Sequence, residues 1–267
     1  MRALGLLLLA ASTTCCQQFE VASVHADKGA FTPPNFPLDA GDAYGPVGGR
    51  FSADFPLTTN IRFAYKLPLT PAQTEAMLAH LPSWIGSDRF RIEARAQGNP
   101  TKDQMRAMIQ SLLADRFHLQ IHFEDREVPV LALRLIRPGK PGPKLRSHAE
   151  GPACDSQPTP DIFPDRCDVQ ALNMTPAGLR RAGSRNTTLP LFAASLPGLG
   201  QLDRPVVDQT GLEGRYDFLL DWSSKPDAED APDFLGALRE QLGLKLESAR
   251  ATLKTPVIDH VERPSEN

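Results

Sequence analysis

The residue types best suited to metal chemistry lie in one short run, His118, His122 and Glu124. All three occupy even positions. On an extended strand they therefore project from the same face, alternating with Leu119, Ile121 and Phe123. Imidazole nitrogen and carboxylate oxygen are a natural donor set for zinc, and a zinc-bound water would point to a metal-dependent hydrolase. The plainer reading of the same pattern is a strand with a solvated polar face. It is preferred, so no catalytic residue, metal or cofactor is expected.

Cys154 and Cys167 are the other reactive pair. Two cysteines with His148 nearby fall short of a closed four-ligand zinc site. A disulfide is expected instead, because the surrounding segment is rich in Pro, Gly and Asp and has little core of its own. Closing a loop of this length contributes up to about 3 kcal/mol in the chain-entropy picture. Asp259, His260 and Asp208 suggest acid–base work, but adjacent strand residues face opposite ways, so Asp259 and His260 are not expected to share a site. Ser195 sits in Ala-Ala-Ser-Leu-Pro and lacks the Gly-x-Ser-x-Gly elbow of a nucleophilic serine. No Gly-rich phosphate loop precedes a helix, and Gly45 to Gly49 carries no Lys-Ser/Thr.

Several elements position these residues. Phe19 to Val24 alternates as a first strand, and residues 27 to 49 form a long Gly/Pro/Asp loop. Leu57 to Tyr65 and residues 72 to 80 are helical. Arg89 to Ala96 places Phe90, Ile92, Ala94 and Ala96 on one face, the pattern of a half-buried strand. Thr101 and Gln104 form a capping box that opens a helix carrying Met105, Met108, Ile109, Leu112 and Leu113. A hairpin is predicted next, with Asp125-Arg126-Glu127 as its turn and Val128 to Ile136 as the return strand. Arg204 to Asp208 reads as an edge segment, because Pro205 cannot donate a ladder bond. Tyr216, Phe218, Leu220 and Trp222 face inward from another strand. Asp230 is the expected N-cap of a last helix bearing Phe234, Leu235, Leu238 and Leu242, which Gly243 ends.

The grammar repeats. Arg89-Phe90 matches Arg215-Tyr216, Pro100 matches Pro226, and Leu112 matches Leu238. Pro129-Val130 matches Pro256-Val257, and Arg137-Pro138 matches Arg263-Pro264. The expected fold class is α+β, two related strand-helix-strand-strand modules. They are placed at residues 17–137 and 186–267, joined by a Pro/Gly-rich linker at 138–185 that holds the disulfide. A lone helix on three short strands buries little surface, so two copies sharing a core are the stable solution.

The chain has 41% hydrophobic and 23% charged residues and a formal net charge of −3. That is a globular balance without the basic field that would recruit nucleic acid. At the N-terminus, Arg2, the apolar run Leu6 to Ala11 and then Ser12-Thr13-Thr14 read as a secretory signal peptide over residues 1–16. The run is shorter than the about 20 apolar residues of a spanning helix. Cys15 as a lipidated residue is the less favoured alternative, since Ser12 stands where a lipobox has an aliphatic residue. The expected location is periplasmic or secreted, with no transmembrane segment after signal removal.

Several stretches carry a resemblance when taken together. They are Phe19-Glu-Val-Ala-Ser-Val24, Pro100-Thr-Lys-Asp-Gln-Met105, Ser111-Leu-Leu-Ala-Asp-Arg-Phe117 and Arg204-Pro-Val-Val-Asp208, with Thr210-Gly-Leu212, Val257-Ile-Asp-His260 and Glu262-Arg-Pro-Ser-Glu-Asn267. The set resembles a soil-associated exported bacterial protein family classed as a domain of unknown function. The resemblance implies export. It also implies kinship with modules sometimes fused to antirepressor metallopeptidases of the beta-lactam-sensor type, whose His-Glu-x-x-His motif this chain lacks. A second similarity is to the short N-terminal domains of secretins and TonB-dependent receptors, which bind protein partners. The resulting expectation is a non-catalytic binding or interaction module of the cell envelope, with a protein or polymer partner. The metal-dependent hydrolase on His118, His122 and Glu124 is the alternative.

Overall fold

Strict alternation of apolar and charged residues makes Arg89–Arg95 the middle strand, β3, of a three-stranded antiparallel sheet. Its neighbours are β1 (Val21–Asp27) and β2 (Arg50–Pro56), in the order β1-β3-β2. The computed structural model describes residues 18–42, 44–154, 162–225 and 231–264. Residues 1–17 with Cys15, the Pro226 to Asp230 segment and the last three residues lie outside them. Helix α1 (Leu57–Ala64) follows β2, and the short α2 (Pro71–Leu78) and α3 (Trp84–Ser87) lead into β3. Helix α4 (Lys102–Phe117) starts at the Thr101–Gln104 capping box, in which both reciprocal bonds are made. A cap of this kind stabilises a helix by about 1 kcal/mol. The Met105, Met108, Ile109, Leu112 and Leu113 stripe is buried against α1 and the sheet.

The chain then enters β4 (Gln120–Leu135), a single uninterrupted strand of 16 residues. The predicted hairpin is not formed. Asp125, Arg126 and Glu127 sit mid-strand, opposite Lys254, Leu253 and Thr252 of the 17-residue β10 (Leu244–His260). The reason is local chemistry. The three residues include no Gly, Pro or Asn to favour positive φ or fix a turn. Their charges are used across the ribbon instead, Asp125 with Lys254 and Glu127 with Arg250.

The described residues within 138–185 are more ordered than a linker. They supply β5 (Leu145–Ser147), a one-turn 3₁₀ helix (His148–Glu150), β6 (Gln170–Met174) and most of β7 (Arg180–Thr187). With β9 (Tyr216–Trp222), the strands form a four-stranded antiparallel sheet in the order β5-β9-β7-β6. Strand β7 escapes sequence reading because its inner positions are small. Ala182 and Ser184 are buried, and a Cβ on Gly183 would lie 2.8 Å from the Phe163 ring. Helix α5 (Leu189–Gly200) follows β7. The short β8 (Val206–Asp208) then lies parallel to β4 at the edge that Pro205 requires. Helix α6 (Phe234–Leu242) is capped by Asp233, which accepts from the Gly236 amide, and ends at Gly243 in the left-handed region. Its start therefore lies three residues beyond the expected Asp230.

The architecture is α+β, with three sheets and helices packed on them. The elements run in the order β1, β2, α1, α2, α3, β3, α4, β4 and then in the order β5, β6, β7, α5, β8, β9, α6, β10, and β3 and β9 are each flanked by strands on both sides in their sheets. Each order has its own buried core. The long strands cross between them, because Leu131, Leu133 and Leu135 of β4 pack in the C-terminal core and Ile258 of β10 packs in the N-terminal one. Among the described residues no helix is long and apolar enough to cross a membrane.

Candidate functional site

Two features stand out on the surface, a groove between the halves and a disulfide corner beside it. The groove has two continuous lobes of about 1120 and 840 Å³. Arg62, Pro68, Ala194, Ser195 and Gly198 line both. One wall is the loop Leu38–Asp42 with α1, the other is α5 with β6. Two cations buried on the first turns of α4 pin the loop. Lys102 pairs with Asp39, and Arg106 bonds the Asp42 carboxylate at 2.9 Å and the carbonyls of Asp39 and Gly41. The Arg106 guanidinium also lies 5.4 Å from the Phe63 ring centroid. Burial lowers the Lys102 pKa, which its contact with Asp39 opposes. Burial would raise the Asp42 carboxyl, but hydrogen bonds from Lys66 and Arg106 outweigh it and hold the group below the usual carboxylate range.

Strand β6 is the open edge of its sheet; among the described residues nothing pairs with its outer side. The Thr175 amide donates to Leu179 O at 2.8 Å, which sets the phase of the β6–β7 ladder. Bonded pairs recur every second residue in an antiparallel ladder, so the backbone groups of Gln170, Leu172 and Met174 face outward. Leu172 and Met174 are 55% and 58% exposed, a concentration of apolar surface on a free edge that proteins usually blunt. Gln170 donates to Ser195 Oγ at 3.0 Å, and that hydroxyl donates to Phe192 O at 2.7 Å. Ser195 is thus a helix-surface hydroxyl in the groove, with no base beside it in these contacts.

The disulfide is formed, Cys154 Sγ to Cys167 Sγ 2.09 Å. Cys154 is exposed and Cys167 half-buried. His148 follows β5, whose pairing with β9 brings it beside Asp217. His148 Nδ1 and Asp217 Oδ1 are 2.6 Å apart, and His148 Nε2 is 3.4 Å from Cys154 Sγ. The Asn186 amide donates to the same Asp217 oxygen at 2.8 Å. A Cβ on Gly151 would lie 2.5 Å from Asp217 Oδ2, so a larger residue there would have to displace that carboxylate. Arg185, 3% exposed, donates to the carbonyls of Pro152, Ala153 and Asp165, tying together the two arms that carry the cysteines. Among the described residues, His148, Cys154 and Cys167 are the one group of three potential metal ligands whose donor atoms lie within 4.8 Å of one another.

The strand histidines are arranged differently from the expectation. His118 is not on β4. It is the C-cap of α4, with φ 49° in the left-handed region. His122 and Glu124 do share a face, with Nε2 to Oε1 at 3.3 Å, and a bulge at Asp259 brings that carboxylate to 2.7 Å from His122 Nδ1. The hydrogen bond to Asp259 and then that to Glu124 raise the His122 pKa. Both ring nitrogens are thereby occupied by carboxylates, and His118, His122 and Glu124 form no converging ligand set. His260 pairs separately with Glu262. Sequence reading named His148 only as the nearest imidazole to the cysteines. It could not find Asp217, 69 positions away, or Arg185, because only the β5–β9–β7 pairing brings them together.

A family model described as a protein of unknown function (DUF3738) matches residues 58–261. No curated protein and no solved structure matches the chain.

Proposed function

Because the chain belongs to this family, whose description assigns no activity, we propose from its geometry that it is an exported binding module. It takes an extended segment of a partner protein into the groove as an added strand on β6. The observation that carries this reading is the free β6 edge. It presents three outward backbone positions and the exposed Leu172 to a groove long enough for a peptide. Main-chain bonds to such an edge supply affinity, and pockets for alternate side chains supply selectivity. Arg62, Lys66 and Arg215 with Asp39, Asp42 and Asp168 give the walls mixed charge, suited to a polar peptide with an apolar residue over Leu172. Export is supported by the leader pattern and by the disulfide, which persists in oxidising compartments. The shared strand–helix–long-strand succession, β3-α4-β4 and β9-α6-β10, supports an origin by duplication. The hydrolase alternative draws no support from His118, His122 and Glu124 as placed.

The test is a displayed random-peptide library panned on the wild type, with each selected peptide measured against Leu172→Pro. That substitution removes an outward N–H and leaves the β7 ladder intact. Selected peptides are expected to lose at least tenfold in affinity, while the melting temperature moves little. Peptides that bind the variant and the wild type equally, or a library that yields no binder, would overturn the proposal.

A further inference from the structure

The corner formed by Asp217, His148, Cys154 and Cys167 is built like an activated thiol centre. Asp217 accepts from His148 Nδ1, which fixes the imidazole tautomer and orientation. The remaining nitrogen, Nε2, then turns its lone pair toward Cys154 Sγ, 3.4 Å away. A disulfide sulfur has no hydrogen to offer that lone pair, and a thiol does. The ring is therefore complementary to the reduced cysteine. A nucleophile, a base within reach and a carboxylate orienting the base is the general pattern of an activated nucleophile. His148 and Asp217 are 18% and 19% exposed at their side chains, whereas Cys154 is open to solvent. The attacking sulfur is thus reachable and its base is sheltered, the environment of a reactive rather than an inert cysteine.

A purely structural disulfide would be the main tie of its loop. Here Arg185 shares that work, bonding carbonyls on both arms through contacts that do not involve the sulfurs. The Asp168 amide adds a bond to Arg185 O at 2.8 Å, immediately after Cys167. The arms are therefore held in place for breaking and remaking the bond.

We propose that Cys154 and Cys167 are a thiol–disulfide exchange centre, in which Cys154 is the attacking cysteine, His148 its base, Asp217 a positioning residue and Cys167 the resolving cysteine. In the reduced protein, His148 Nε2 takes the Cys154 proton, and the thiolate attacks one sulfur of an external protein or small-molecule disulfide. The external sulfur–sulfur bond breaks, and the leaving thiolate takes the proton from the imidazolium. A mixed disulfide remains on Cys154. Cys167, deprotonated by the same ring, attacks Cys154 Sγ, and the second external thiolate leaves with that proton. Two electrons pass from the cysteine pair to the external disulfide, which becomes two thiols, and the Cys154–Cys167 bond re-forms. An external dithiol returns the pair to the reduced state by the reverse sequence. The groove and its ligand take no part, so this proposal stands independently of the binding reading.

The experiment uses the full chain with Cys15→Ser and Cys16→Ser, so that only the centre titrates. The reduced protein is mixed with a chromogenic aromatic disulfide, and thiol release is followed. His148→Ala is expected to slow the reaction at least tenfold at neutral pH, with added imidazole restoring part of the rate, which a merely structural role would not allow. Asp217→Asn is expected to slow it by a smaller factor. With Cys167→Ser the mixed disulfide should accumulate on Cys154 and be seen by mass spectrometry. Equal rates for wild type and His148→Ala would overturn the proposal. So would a mixed disulfide that forms on Cys167 in preference to Cys154 in the reduced protein. Stoichiometric zinc uptake by the reduced protein with no exchange activity would overturn it as well, and would assign the three ligands to a metal.

Discussion

Ile258 pairs with Ile121 across the long ribbon; Ile258 is buried in the core of the N-terminal half, and the half-buried Ile121 packs against that core. One of them starts β4 within its own half. The other ends β10, having left the C-terminal core at Leu244. Each half thus lends the end of its long strand to the other, and neither core is complete without it. Ile258 is 8% exposed, so truncation to alanine removes apolar contact and leaves a partial cavity. Ile258→Ala is expected to cost about 2–3 kcal/mol, toward the low end for a buried isoleucine because the site is near the surface. Chemical denaturation should show one cooperative transition moved to lower denaturant with its slope unchanged. A separate early transition confined to the N-terminal half would show that the exchanged strands do not couple the two cores.

His122 should titrate above its usual value of 6.5. Its stronger partner is Asp259 and its weaker one Glu124, and all three side chains are about half exposed. A folded value above the unfolded one means that the interaction stabilises the protein fully below about pH 6.5 and fades as the pH rises through the folded value. Solvent screening keeps the energy small, so the titration itself is the useful measurement. Proton NMR of the His122 ring should give a midpoint that falls on Asp259→Asn and falls less on Glu124→Gln. An unchanged midpoint in Asp259→Asn would mean that the bulge does not hold that carboxylate against the ring.

Where the sequence states its own geometry, the fold is legible. The alternation in Arg89–Arg95, the Thr101–Gln104 box and the Met105–Leu113 stripe each contain the full physical reason for their element. The N-cap Asp233 was hidden because Asp230 and Asp233 both precede the apolar stripe, and only the bond to the Gly236 amide distinguishes them. Mid-strand charges at Asp125–Glu127 look like a turn until their partners Arg250 and Lys254 are known, and those lie more than 120 residues away in sequence. The candidate sites are less legible for the same reason. Cys154 and Cys167 can be paired by elimination. The orientation of His148 depends on Asp217, and the open edge of β6 depends on which strands leave it unpaired. His118 and His122 look equivalent in the sequence, yet one ends a helix and the other sits between two carboxylates.

Arg185 offers a way to separate the scaffold of the disulfide corner from the disulfide itself. Its guanidinium is buried, its bonds are to the carbonyls of Pro152, Ala153 and Asp165, and its buried Nε has no hydrogen-bond partner among the described residues. Arg185→Met keeps most of the side-chain volume and removes those bonds. Desolvating a cation is costly, and methionine recovers that cost. Even so, three carbonyls lose a charged donor, and each such bond contributes about 1.5–3 kcal/mol. Pro152, Ala153 and Asp165 are exposed residues whose freed carbonyls can bond water, so the loss only partly survives, and a net destabilisation of about 1–1.5 kcal/mol is expected. Cys154→Ser with Cys167→Ser removes the covalent tie and should cost about 3 kcal/mol through chain entropy. The two changes should differ in hydrogen exchange. In the serine pair the Gly151 and Asp168 amides, which donate to His148 O and Arg185 O, should stay protected, since Arg185 still holds both arms. In Arg185→Met they should exchange faster although the disulfide is intact. The opposite ranking would make the sulfur bridge, and not the buried arginine, the element that shapes this corner.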